Sequence, residues 1–153
     1  MSEGDPYVYP GTSILKNKPD LKSLDELDRF ERVSAGVRQI HMPTDTPMTA
    51  DGYRGIHRQL FQDVYDWAGD YRTVNLTKIA DTPVEFKLSP YVGTEMRRVF
   101  GELGADNYLR GLDTDTYAYR AAVYMQDLNS IHPFREGNGR TQRIFLSELT
   151  RQA

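Results

Sequence analysis

His132-Pro133-Phe134-Arg135-Glu136-Gly137-Asn138-Gly139-Arg140-Thr141-Gln142-Arg143 runs near the C-terminal end of a 153-residue chain. Upstream of it, Thr114 to Ile131 reads as a helix carrying Ala118, Ala121, Ala122, Met125 and Leu128, small and apolar residues that suit close packing. Downstream, Ile144, Phe145, Leu146 and Leu149 continue as a second apolar helix. The quoted stretch is therefore a tight loop between two helices, and its residue types are unusual for a mere turn. Glycines at 137 and 139 reach backbone angles closed to other residues and let a ligand approach the main chain. The first N–H groups of the following helix are unpaired, and the helix dipole favours an anion there. Arg140 and Arg143, three residues apart, share one face of the first turn and can clamp phosphate. Glu136 would repel phosphate unless a divalent cation lay between them, which is the usual way Mg²⁺ is held. His132 precedes the loop, and a neutral imidazole there can take a proton from an attacking hydroxyl near pH 7. Base, metal carboxylate, anion cradle and arginine clamp together point to phosphoryl or nucleotidyl transfer.

The rest of the chain supplies a helical setting. Ser23 and Glu26 have the spacing of a capping box. Leu24, Leu27, Phe30, Val33, Val37 and Ile40 follow at helical intervals and predict an apolar, inward face, ended by Pro43 and Pro47. A second helix is expected from Thr49, with Ile56, Leu60, Val64 and Trp67 inward and Gly69 as its terminator. Tyr71–Thr77 and Val84–Leu88 are rich in β-branched and aromatic residues, and the turn between them predicts one β-hairpin. Such a hairpin needs a surface or a partner to lie on. Ser89 as cap with Pro90 at the first position opens a further helix to about Leu103. The opening Asp5–Gly11 reads as a turn-rich aromatic arm. His41 reads as a helix-terminal residue and His57 as a partly exposed structural one. The fold class is mostly α with a single hairpin, in one domain spanning 1–153 by the usual size prior.

Bulk properties remove several function classes. A net charge of −3 argues against general nucleic-acid binding, which needs a basic face. No stretch approaches the length of an apolar membrane span, and the N-terminal residues lack a signal-peptide pattern. With 0 Cys there is neither a disulfide framework nor a thiolate metal site.

The segment His132–Arg143 resembles the signature of the Fic family, His-x-Phe-x-(Asp/Glu)-Gly-Asn-Gly-Arg-x-x-Arg, at every fixed position. Tyr65-Asp66-Trp67-Ala68-Gly69-Asp70-Tyr71-Arg72 is similar to the helix end that leads into the family's flap hairpin. Asp5-Pro6-Tyr7 resembles the start of bacterial members whose inhibitor is a separate small protein. The resemblance implies a Fic-type helical bundle with the flap beside the active-site loop. It implies a protein adenylyltransferase that moves AMP from ATP to a target hydroxyl and releases pyrophosphate. His132 would be the base and Glu136 the Mg²⁺ ligand. Gly137, Asn138 and Gly139 would form the anion hole, with Arg140 and Arg143 on the outer phosphates and Phe134 a buried anchor. By looser similarity, Lys78 and Ile79, and Asn107, Tyr108, Leu109 and Arg110, would flank the nucleotide. A target protein would bind along about Thr77–Leu88 by strand addition.

Many members of that family carry an inhibitory helix of pattern (Ser/Thr)-x-x-x-Glu-(Gly/Asn), and no stretch of this sequence matches it. The expectation is that restraint comes from a separate antitoxin-like chain or from sequence beyond Ala153, the chain then being a piece of a larger toxin or effector. The expected compartment is the bacterial cytoplasm, or the host cytosol for a translocated effector. Two alternatives stay open at this point: a non-catalytic nucleotide- or partner-binding module, and a Fic variant transferring phosphate or phosphocholine. The intact Gly-Asn-Gly-Arg at 137–140 speaks against phosphate transfer.

Overall fold

The computed structural model describes residues 4–76 and 85–153. Among them five α-helices form: α1 (Leu24–Ile40), α2 (Ala50–Phe61), α3 (Val92–Ala105), α4 (Thr114–Ile131) and α5 (Asn138–Gln152). Two 3₁₀ turns, Ser89–Tyr91 and Asn107–Leu109, precede α3 and α4. Helix α2 lies at the centre, packed on α1, α3 and α5, while α4 bridges α3 and α5. Tyr53 of α2 holds this arrangement together. Its ring is stacked on Phe134 at 6.0 Å and meets the edge of Phe145 at 5.2 Å, with Phe100 also within 5.8 Å. Ile56, Leu60, Met96, Leu103, Leu128, Ile131 and Leu149 complete a continuous core. Burial of one such side chain stabilises the fold by about 1.5–3 kcal/mol.

Two of the expected N-caps form. The Ser23 hydroxyl accepts from the Glu26 amide, and Thr49 accepts from Gly52 at 3.0 Å. His41 is the C-cap of α1. Helix α4 has the expected bounds, although its buried face is Ala121, Tyr124, Leu128 and Ile131, and Ala118 and Ala122 are exposed. Two helix boundaries move. Helix α2 ends at Phe61 rather than near Gly69; the Val64 and Tyr65 amides both turn back to the Phe61 carbonyl, and beyond that turn the Lys18 amide of the N-terminal arm takes the Val64 carbonyl. Ser89 does not cap α3 with its side chain; its amide donates to Asn75 Oδ1 and a 3₁₀ turn intervenes.

The face of α1 is the main correction. Of the six apolar residues expected to point inward, only Leu27 is buried; Phe30 is half-buried, while Val33 and Ile40 are 62% and 80% exposed. The inner face runs instead through Leu27, Glu31, Ala35 and Arg38. Ala35 admits close approach, Tyr65 donates its hydroxyl to Glu31, and Arg38 grips Asp63 through two bonds of 2.7 and 2.8 Å. Polar side chains with partners can line an interface as well as apolar ones, and hydrophobic periodicity cannot see those partners.

The hairpin is not formed by the described residues: 71–76 and 85–88 make no strand pair among themselves, and the turn lies outside them. Both legs are nonetheless anchored. The Lys87 amide donates to Ser130 O at 3.0 Å and the Arg72 amide to Pro133 O at 2.9 Å, so the loop begins and ends against the end of α4.

Candidate active site

His132 is the C-cap of α4 and takes the left-handed conformation, φ 50°. Gly137 takes it again at φ 83° as the N-cap of α5. Between these two reversals the chain turns back so that α5 starts beside the point where α4 ended. Gly137 has no substitute here: a Cβ would stand 2.4 Å from the Phe61 ring. Phe134 is fully buried and anchors the loop in the core, as expected. Asn138 closes the loop from below, accepting from the Phe134 amide at 2.9 Å and donating to the Phe134 carbonyl at 2.7 Å. That commits the Asn138 side chain to the loop, leaving its backbone N–H as what it can offer an anion.

Around this turn lies a pocket of about 270 Å³. His132, Glu136, Gly137, Gly139, Arg140 and Arg143 line it, with Phe61 as its floor. No side chain caps the N-terminus of α5, so its leading N–H groups face the pocket with the positive end of the helix dipole behind them. Arg140 is packed over the Phe61 ring, and its Nη1 is buried without a hydrogen-bond partner among the described residues. A buried guanidinium donor of that kind fits an anionic ligand. Arg143 is exposed at the rim. A second groove of about 540 Å³ shares Arg140 and Arg143 and runs on between the end of α1 and α5, past Met42, Ile144 and Arg151.

Sequence patterns missed several residues that shape this site. Glu31 of α1 lines the pocket opposite Glu136, and burial raises its pKa. Phe86 stacks on the His132 ring at 3.9 Å and 12°. Arg135 is held by Asp5 at 2.6 Å, which pins the N-terminal arm to the loop. Arg72 is 2% exposed, and its partners among the described residues are carbonyl oxygens. Nε donates to His132 O at 2.7 Å, Nη1 to Val74 O at 2.8 Å, and Nη2 to Ile131 O at 3.0 Å and to Lys87 O. Burial lowers its pKa, and the negative end of the α4 dipole offsets part of that cost. One guanidinium thus ties both legs of the loop to the helix end that carries His132.

His57 corrects another expectation: it is fully buried rather than partly exposed. Its Nδ1 accepts from the Gly69 amide at 2.8 Å, so Nε2 carries the proton and donates to the Glu136 carbonyl, also at 2.8 Å. The ring stacks on Phe134 at 3.9 Å, and burial pushes its pKa down to about 4.

Of the two segments expected to flank the nucleotide, only one falls among the described residues, and it does not line the pocket. Lys78 and Ile79 lie outside the described residues. Asn107, Tyr108, Leu109 and Arg110 do not line it; they sit beside the middle of α4, where the neighbouring Asp106 accepts from Tyr124 and pairs with Arg120. Asn107, Tyr108 and Leu109 all have positive φ, 53° to 58°, an uncommon run for residues other than glycine.

A bundle in which a left-handed histidine, a glycine-capped helix N-terminus and two arginines converge on one pocket defines a nucleotide-handling helical domain. Residues 47–150 match the Fic/DOC family, and the chain belongs to it. It is 39% identical over 150 residues to the probable protein adenylyltransferase y4lH of Sinorhizobium fredii, covering 97% of this chain and 77% of that protein. It is 36% identical to the protein adenylyltransferase VbhT of Bartonella schoenbuchensis over 97% of this chain, which spans 31% of VbhT. Among solved structures, BepC of Bartonella tribocorum with bound AMPPNP superposes with a TM-score of 0.87 at 28% identity, covering 96% of this chain and 77% of that one. No helix among the described residues is long and apolar enough to cross a membrane.

Proposed function

We propose that this domain transfers AMP from ATP to a hydroxyl of a target protein. The observation that carries the reading is the convergence of His132, Glu136, the α5 N-terminus, Arg140 and Arg143 on one pocket. The imidazole of His132 takes the proton of the target hydroxyl; that oxygen forms a bond to the α-phosphorus, and the bond to the β-phosphate oxygen breaks, releasing pyrophosphate. The N–H groups of Gly137, Asn138 and Gly139 and the guanidinium groups of Arg140 and Arg143 hold the phosphate oxygens in line. Glu136 would hold Mg²⁺, which when bound would supply positive charge to offset that of the phosphates. Glu136 is the exposed carboxylate at the pocket edge, which suits that task.

The target lies along the flap, about Thr77–Leu88, whose two legs are tied to His132 through Arg72. The adenosine end extends toward Lys78–Ile79 and the left-handed turn at Asn107–Arg110, where three residues hold a conformation that a binding role would justify. Restraint comes from a separate inhibitory chain that enters the groove shared by Arg140 and Arg143. The fold unit is the single Fic domain, acting in the bacterial cytoplasm or, in an effector, in the host cytosol.

The test is label transfer in a lysate supplied with ATP labelled at the α- or the γ-phosphate. The expected result is label on protein from the α position only, reduced about 10²-fold or more by His132→Ala. Transfer from the γ position would replace this reading with phosphate transfer. Absence of transfer from either, with ATP still bound, would reduce the domain to a binding module.

A further inference from the structure

We infer that His57 is a positioning residue for the metal carboxylate, acting as a strut between the Gly69 turn and the Glu136 peptide. This deepens the reading of Glu136 as the Mg²⁺ ligand and rests on it.

The geometry is directional. The Gly69 amide fixes the imidazole tautomer, and the opposite nitrogen then has a proton to give to Glu136 O. The ring is sandwiched between Phe134 at 3.9 Å and Trp67 at 5.8 Å, so it cannot swing away. Glu136 by contrast has an exposed side chain, whose one hydrogen bond among the described residues is from the adjacent Gly137 amide at 3.2 Å. What aims that carboxylate is therefore its peptide plane. Phe134 is locked on one side by Asn138, and Gly137 is locked on the other by the Phe61 ring. The Glu136 carbonyl lies between these fixed points, and His57 is the side chain that holds it. A partner that orients a metal ligand from behind commonly changes metal affinity by about 10- to 100-fold. The strut also begins at Gly69, directly before the first leg of the flap, so the metal carboxylate and the target-binding segment share one anchor.

Two substitutions separate this role from simple packing. The amide nitrogen of Gln reaches the position of Nε2, and the amide oxygen of Asn the position of Nδ1. His57→Gln keeps the donor to Glu136; His57→Asn keeps only the acceptor for Gly69. The measurement is Mn²⁺ half-saturation by electron paramagnetic resonance, with AMPPNP present, for the wild type, both variants and Glu136→Gln, with melting temperatures recorded alongside. The expected result is a rise of about tenfold in half-saturation for His57→Asn, while His57→Gln stays near the wild type. Equal weakening in both variants, in step with equal losses of melting temperature, would make His57 a packing residue and overturn the inference. So would unchanged Mn²⁺ binding in both while Glu136→Gln weakens it. If Glu136→Gln itself leaves Mn²⁺ binding unchanged, the reading of Glu136 fails and takes the strut with it.

Discussion

The loop between α4 and α5 and the turn Asn107–Leu109 both hold residues other than glycine in the left-handed region, and they are supported in different ways. In the loop between α4 and α5, His132 is held through its carbonyl by Arg72, Glu136 by His57, and Phe134 by Asn138. Two of these clamps come from residues 60 and 79 positions away. In the turn Asn107–Leu109, the bonds are local, Leu109 to Asp106 and Arg110 to Asn107, with Leu109 buried as the anchor. Strain in the first is over-determined by the tertiary structure, whereas strain in the second is held by its own neighbours. On the proposed function, the difference separates a place where reacting groups must be aimed from a place that need only offer a surface.

Breaking the first kind of support should cost most. Arg72→Met removes the donors of four carbonyls in a buried site, each worth about 1–3 kcal/mol when left unsatisfied. The expected loss is at least about 3 kcal/mol in urea unfolding. A loss under about 1 kcal/mol would mean that the clamp is replaceable and that the contrast drawn here is wrong. Gly137→Ala combines a positive φ with a collision against Phe61 and should cost about 2 kcal/mol, read by the same titration together with weakened AMPPNP binding. Asn107→Gly, in the locally supported turn, should change stability by less than about 1 kcal/mol, since glycine takes that conformation without steric cost but loses more entropy on folding. A larger loss would show that the Asn side chain, and not the backbone, maintains the turn.

The site was legible because its chemistry is contiguous. His132, Glu136, Gly137, Gly139, Arg140 and Arg143 reach one pocket through a single turn, and helix periodicity with glycine conformation suffices to place them. The bounds of α4 and the caps Ser23 and Thr49 are equally local and were readable for the same reason. The face of α1 was not. Its six apolar residues suggested one inner side, and the packing chose another, because Glu31 and Arg38 find partners on other elements.

The sequence alone, then, determined the helical class, the loop and which of its side chains meet in one pocket, since each depends on interactions a few residues apart. Only the tertiary structure decided that Arg72 and His57 hold that loop, that Phe86 stacks on His132, and that Val33, Val37 and Ile40 stay in solvent. A hydrogen bond spanning 79 residues leaves no periodic trace in the chain, because its energy depends on where the fold brings two distant groups and not on what lies beside either one.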